Sequence, residues 1–195
     1  ETTVKVFDQM RKLQGYTDEG SPGRDWNVAT GMVIEGKAGF QIMGDWAKGE
    51  FTAAGKTPGV DYYCAATPSN NGYLYNVDSF IFYKSSDPDK QAGQKLLAKL
   101  MMGKNFQKVF NLYKGSIPAR LDVSMDEFDK CAKTSNADIK TAGAKGGLVP
   151  SFAHGMAQGN TMKAALQDII TEHFNSDMSS VDAANALADS VLANM

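Results

Sequence analysis

Three short apolar runs in the first half of the chain place the strongest limits on its fold. They are AGFQIMG (38–44), VDYYCAATP (60–68) and DSFIFYK (78–84), and glycine, proline or turn-forming residues bound them. Runs of this length and composition are typical of β-strands, and the continuously apolar centre of the third is typical of a buried strand. Because helical patterns precede the first run, separate it from the second and follow the third, we predict an α/β fold.

Local start and stop signals predict the helices. Asp87 followed by Pro88 is a strong helix start, a break is expected near Gly103, and Lys114 with Gly115 ends this region. After Pro118 the pattern is helical only, so the second half is expected to be helix-rich. The other predicted helices span 4–13, 26–35 with Asp25 as cap, a short stretch after Asp45, 124–131 with Ser124 as cap, and 162–174. A last helix begins with the capping box Ser179 and Asp182. It is expected to bury Val181, Ala184, Leu187 and Val191.

Composition excludes several classes of function. Of 195 residues, 43% are hydrophobic, 20 are Lys or Arg and 22 are Asp or Glu, which leaves a net charge of −2. Proteins that bind nucleic acid or anionic membranes cluster basic residues on one face, and no such cluster occurs here. No apolar run in the sequence has the length needed to cross a bilayer.

Motifs for catalysis and for nucleotide binding do not occur in the sequence. It has no glycine-rich phosphate loop and no GxSxG motif, and neither His154 nor His173 has metal-ligand spacing with a cysteine. No cofactor is therefore expected. A nucleophilic pair of Cys131 and His154 has no local support, although the acidic residues are numerous enough for a glycosidase pair. Cys64 and Cys131 fit one disulfide or two buried thiols equally well.

Three patches in a fixed order resemble one protein family. They are VIEGKAGFQIMGDWAKGEF, the run from YCAATPSNNGYLYNVDSF into the helix after Pro88, and YKGSIPAR. Together they are similar to the C-terminal half of the extracytoplasmic sugar-binding proteins of ATP-driven importers. NVDSF, LYKGSIPAR, FDKCAK and PSFAHGMA look most like the glucose-binding proteins of Gram-negative bacteria, although ATPSNNGYLYN lacks a Pro-Gly-Thr found in many relatives.

The resemblance implies the C-terminal part of a two-lobe, type II-like receptor. Such a receptor binds a monosaccharide, here glucose, in the cleft between its lobes and works in the periplasm of a Gram-negative bacterium. Residues 1–72 and 117–195 would belong to the C-terminal lobe, and 76–113 would cross into the N-terminal lobe. The expected partners are the sugar, the membrane permease and the N-terminal half of the receptor. The extracytoplasmic location also implies a disulfide between Cys64 and Cys131.

The resemblance also favours particular sugar-binding residues. Trp26 and Trp46 each follow an aspartate, and aromatic rings cover the apolar C–H faces of a pyranose, although both also suit a core position. The resemblance places stacking residues in these regions and favours Trp46. Asn76 and Asp78 flank Val77 and share one side of a strand. Both residue types also suit turns, whereas the resemblance implies contacts to sugar hydroxyls.

Lys114 and His154 are selected because of the resemblance alone. Lys114 by itself fits a solvated cation that complements the dipole of its helix. His154, in PSFAHGMA, by itself fits an ordinary exposed or structural histidine. The glucose-binding relatives carry a ligand-contacting Lys and His at the matching positions. His173 lies inside a predicted helix, has no such match and is interpreted as structural.

Two other classes of protein remain as rivals. A carbohydrate hydrolase would use aromatic and carboxylate residues in a cleft and would turn over an oligosaccharide. A helical protein-interaction domain would need an exposed apolar groove and would show no thermal shift with sugar. The resemblance favours a receptor, which is not an enzyme.

Overall fold

The structure is a computed structural model that describes residues 1–68 and 72–194. The described residues form a helix-rich α/β arrangement, which confirms the predicted class at this coarse level. The sequence SNNG (69–72) predicts a turn after the second apolar run, and its first three residues lie outside the described residues. The elements in chain order are α1 (Thr2–Gln14), α2 (Trp26–Ile34), a 3-10 turn (Asp45–Ala47), α3 (Lys48–Ala53), β1 (Tyr73–Tyr75), α4 (Pro88–Met101), α5 (Lys104–Lys114), α6 (Lys130–Ala144), β2 (Leu148–Pro150), α7 (Asn160–Asn175) and α8 (Ser180–Ala193).

The chain divides into two compact units, and the first contains α1, α7 and α8 (residues 1–24, 74–76 and 150–195). These helices pack on one another through the apolar stripe that each presents. Phe7 and His173 are both fully buried, with ring centroids 4.7 Å apart. Ala183 of α8 is fully buried as well, and Leu166 of α7 nearly so. The core of this unit is therefore formed by the three helices that enclose His173.

The second unit contains α2 to α6 (residues 25–73 and 77–149). Its core groups Val123, Phe128 and Ala132 with partly buried apolar side chains around them. A second contact stacks the rings of Phe51 and Tyr62, with centroids 4.1 Å apart. A disulfide between Cys64 and Cys131, whose Cα atoms are 5.7 Å apart, closes a long loop in this unit. Such a loop closure restricts the unfolded chain and thereby stabilises the fold.

Most helix boundaries follow the local signals in the sequence. The Asp87 carboxylate accepts hydrogen bonds from the N–H groups of Asp89 and Lys90, as predicted for the start of α4. Ser179 accepts from the N–H of Asp182 and donates to its carboxylate at the start of α8. Gly115 ends α5 with φ of 87°, a left-handed conformation that favours glycine.

The three predicted strands are wrong. Residues 38–44, 60–68 and 78–84 form no strand, and the described strands are β1 and β2. The Tyr73 N–H donates to Gly147 O, and the Ser151 N–H donates to Tyr75 O, so β1 and β2 pair in parallel. A strand needs a neighbour for its N–H and C=O groups, and in the described residues the predicted runs form no ladder; the one pairing among them is an isolated bridge between Tyr62 and Pro58. Phe40 is accordingly 96% exposed and Ile81 73% exposed.

Two of the predicted helix starts are also corrected. No helix begins at Ser124, whose hydroxyl bonds within a turn to Asp126; α6 begins at Lys130 because Asp129 accepts from the Ala132 N–H. Asp25 precedes α2 as predicted, but its side chain makes no capping bond.

The prediction that the chain after Pro118 is helical only is wrong, because β2 lies in this region. On α8, Val181 is exposed rather than buried, whereas Ala184, Leu187 and Val191 are half-buried. The two units do not follow the segments 1–72, 76–113 and 117–195, whose assignment to receptor lobes stays a prediction. In the described part of the chain, no helix is long and apolar enough to span a membrane.

Candidate functional site

Two glycines bring the turn that carries Trp46 against the end of α5. A Cβ on Gly115 would lie 2.7 Å from the backbone nitrogen of Gly49 and 2.9 Å from Cβ of Lys48. A Cβ on Gly49 would lie 2.9 Å from the carbonyl oxygen of Lys114. Only glycine allows two backbones to approach this closely. The contact therefore fixes where Lys114 stands relative to Trp46.

Trp46 is the second residue of the 3-10 turn, and its side chain is half-buried. Its indole lies against Gly44, where a Cβ would come within 2.2 Å of the ring. A glycine at that position is thus required for the ring to fold back over the chain. One side of the indole thus packs on the main chain, and an aromatic ring packed in this way is suited to stack on a sugar.

Asp45 lies between Trp46 and α5, and sequence reasoning missed it as a site residue. Its Oδ2 accepts a hydrogen bond of 3.1 Å from the Ile117 N–H. Burial raises the pKa of Asp45. The Ile117 bond, the charge of Lys48, a hydrogen bond from Ser116 and the charge of Lys114 all oppose that rise. The one signal in the sequence was an Asp at a helix start, which did not reveal these long-range partners.

Lys114 and Asp78, both predicted site residues, form an ion pair in the structure. The Lys114 side chain is 29% exposed and that of Asp78 60% exposed, so both charges border solvent. The Lys114 Nζ also lies 5.8 Å from the centroid of the Phe110 ring. An ammonium group with three donors beside a carboxylate acceptor matches a pair of neighbouring hydroxyls.

An open apolar groove of about 530 Å³ continues from Lys114 along α5. Its lining is mostly aromatic, with one aliphatic side chain among the rings. Aromatic surface beside paired charges is the combination that carbohydrate sites use. The lining residues are Phe106, Val109, Phe110, Tyr113 and Lys114.

A largely buried ion pair lies next to the turn that carries Trp46. Lys48 Nζ lies 2.7 Å from Oδ2 of Asp129, and the Lys48 side chain is 8% exposed. Burial by itself raises the pKa of Asp129. The hydrogen bonds from Lys48 and from the Ala132 N–H outweigh burial and hold that pKa below its ordinary value. The pair ties α3, which follows Trp46, to the start of α6.

Trp26, at the first position of α2, is 39% exposed. Its carbonyl oxygen accepts hydrogen bonds from Oγ1 of Thr30 and Nε2 of Gln41. These bonds connect it with its own helix and with the segment that precedes the Trp46 turn. The second unit therefore contains Trp26, Trp46, Asp78 and Lys114, of which the structure joins Asp78 and Lys114 directly.

Asn76 and His154 belong to the first unit. Asn76 follows β1, and the Nδ1 atom of the exposed His154 lies 2.7 Å from Oγ of the buried Ser151. This bond orients the imidazole. His173 is fully buried, and burial together with the charge of Arg11 lowers its pKa, which fits a packing role. Within residues 1–68 and 72–194, no group of three or more acidic, His or Cys side chains could hold a metal ion.

The chain is similar to known binding proteins along most of its length. A family model described as "Bacterial extracellular solute-binding protein" matches residues 1–167. A "Probable sugar-binding periplasmic protein" from Brucella suis is 47% identical over 98% of this chain, and one of the same name from Rhizobium meliloti is 44% identical over 96%. A xylose/arabinose-binding protein from Haloferax volcanii is 26% identical, again over 96%.

The chain covers only the C-terminal part of these relatives. It spans 45% of the length of the Brucella and Rhizobium proteins and 40% of the Haloferax protein. All three are named as binding proteins and none as an enzyme, which agrees with the prediction from the sequence. The chain belongs to the family of bacterial extracellular solute-binding proteins.

Proposed function

We propose that this chain is the C-terminal part of a periplasmic receptor that binds a monosaccharide, glucose in particular, and delivers it to the permease of an ATP-driven importer. The observation that carries the proposal is the Lys114–Asp78 pair, next to the glycine contact that positions Trp46. The names of the relatives support a sugar as the ligand class. The remaining part of the receptor would supply the opposite walls of the site.

The chemistry of the site suits a pyranose. The Trp46 indole offers an apolar face for the C–H groups of the ring. A hydroxyl between Asp78 and Lys114 accepts from the ammonium and donates to the carboxylate, so neither charge is left without a partner. By resemblance, Asn76 and His154 contribute further hydrogen bonds, and Trp26 a second aromatic surface. Binding of this kind requires no covalent step.

Calorimetric titration of the full-length receptor with a sugar panel tests the proposal. We expect glucose to bind more tightly than galactose, mannose, xylose and arabinose. The Haloferax relative makes pentoses the second candidate, and a preference for xylose or arabinose would replace glucose with them. No binding of any sugar, or release of reducing ends from a maltodextrin, would refute the receptor proposal.

Alanine variants test the individual residues. Trp46→Ala, Asp78→Ala and His154→Ala are each expected to weaken glucose binding by ~1–3 kcal/mol, the cost of unmet aromatic or polar contacts. Tyr16→Ala is the matched control, because Tyr16 is an aromatic residue that is 88% exposed. A loss in the control equal to that in the site variants would show that the titration does not report on the site.

A further inference from the structure

Asp45 is not among the proposed sugar-binding residues. It contacts the segment that follows Lys114 and begins the 3-10 turn that carries Trp46. Its carboxylate accepts from the Ile117 N–H and from Ser116. Ser116 is buried, and Asp45 is half-buried. The carboxylate is therefore occupied by the segment that directly follows Lys114.

The backbone of Asp45 lies against the same segment. A Cβ on Gly115 would be 3.1 Å from the Asp45 carbonyl oxygen, so side chain and main chain of Asp45 contact successive residues after α5. A buried carboxylate that accepts from a backbone amide is costly to remove, because the amide then loses its partner. One residue thus links the turn of Trp46 with the turn after Lys114.

We propose that Asp45 is a positioning residue of the sugar site, which sets the spacing between the Trp46 indole and the Lys114 ammonium group. It acts through these two side chains, because its own carboxylate is engaged with Ile117 and Ser116. This inference rests on the proposed function. It adds to the site a residue that contacts no sugar but determines how well two binding residues fit one.

The test compares Asp45→Ala with Asp45→Asn in the full-length receptor, each with Lys114 present and with Lys114→Met. Asp45→Ala is expected to weaken glucose binding about 10-fold, as for a buried amide that loses its partner. Asp45→Asn keeps an oxygen for the Ile117 N–H and is expected to recover most of the affinity. In the Lys114→Met background, the effect of Asp45→Ala should shrink to about twofold or less, because residues that act as a unit are not additive.

A matched control separates positioning from general stability. Asp61 also accepts from a backbone N–H, that of Thr57, in an exposed loop of the same unit. Asp61→Ala should leave glucose affinity unchanged.

The results separate the inference from the function on which it rests. Normal affinity in Asp45→Ala, or an equal loss with and without Lys114, would overturn the inference while the receptor proposal stands. If the wild-type receptor bound no sugar, both would fall.

Discussion

Replacement of Gly49 by alanine tests whether the contact between two backbones holds the site together. The added Cβ would lie 2.9 Å from the carbonyl oxygen of Lys114 and 3.3 Å from that of Tyr113. Both are backbone atoms, so no side-chain rotation relieves the clash and α3 must move away from the end of α5. Overpacking of this kind costs ~1–3 kcal/mol, against a gain of at most ~1 kcal/mol in helix propensity. We expect a net loss of up to ~2 kcal/mol from the free energy of unfolding.

Gly93 provides the matched control for this experiment. It also lies within a helix, α4, but no atom is within 4 Å of the position of its Cβ. Gly93→Ala therefore gains only helix propensity and should stabilise the protein by ~0.5–1 kcal/mol. Urea unfolding measures both variants, and glucose titration of the full-length receptor should show weaker binding for Gly49→Ala alone. If Gly49→Ala matched Gly93→Ala in stability and affinity, the contact would not define the position of Lys114.

Three further predictions concern stability and association. Asp129→Asn should lower the free energy of unfolding at pH 7 by ~1 kcal/mol, since the bond to Lys48 is partly screened by solvent. The pKa of Asp129 is lower in the folded protein than its ordinary value. The stability that Asp129 contributes is therefore fully present above the ordinary Asp pKa and is lost as the pH falls through the folded value. Urea unfolding at pH 3 should accordingly show a smaller difference between wild type and Asp129→Asn. Thiol labelling of unreduced, denatured protein should find neither Cys64 nor Cys131 reactive, and reduction should cost ~2–4 kcal/mol; two labelled thiols would contradict the bridge. The isolated 195-residue chain should self-associate in light scattering and bind glucose more weakly than the full-length receptor, because its apolar runs are exposed; a monomer with full affinity would argue against this.

Most of the helices were predictable because their signals are local, whereas α6 (Lys130–Ala144) lies almost wholly outside the predicted helix 124–131. Asp87 and Pro88 start α4, Gly115 ends α5, and Ser179 with Asp182 starts α8, and each of these devices acts within one turn of the chain. The failure at Ser124 has the same origin. Ser124 and Asp129 are both suitable caps, and in the folded protein it is Asp129 that accepts from the Ala132 N–H and pairs with Lys48, a partner far along the chain.

The strands were not predictable because pairing is non-local. Residues 78–84 have the composition of a buried strand. Composition does not show whether another segment of this chain lies beside them and pairs with them. In the structure, Phe80 and Phe82 remain exposed to solvent. The paired residues lie instead in β1 and β2, which are too short to show a clear alternation.

The candidate site combines residues that the sequence indicated with residues whose partners are non-local. The resemblance selected Asp78 and Lys114, and the structure brings them into an ion pair; their role in sugar binding stays a prediction. Neither Gly49 nor Asp45 stood out in the sequence, because a glycine inside a helix and an aspartate at a helix start have ordinary local explanations. Their importance depends on partners far along the chain.

Backbone contacts hold the segments of the candidate site in place, and this affects how the site accommodates the proposed sugar. The turn after Lys114 is located by the close contacts of Gly49 and Gly115 together with the carboxylate of Asp45, whereas the Lys114 ammonium group pairs with the carboxylate of Asp78. The backbone of Lys114 is therefore held in place, whereas the end of its side chain can move. A hydroxyl inserted between Asp78 and Lys114 requires movement of a flexible side chain and no movement of the helices. In the proposed sugar complex both charges would keep a partner, so burial of the pair would leave neither charge uncompensated.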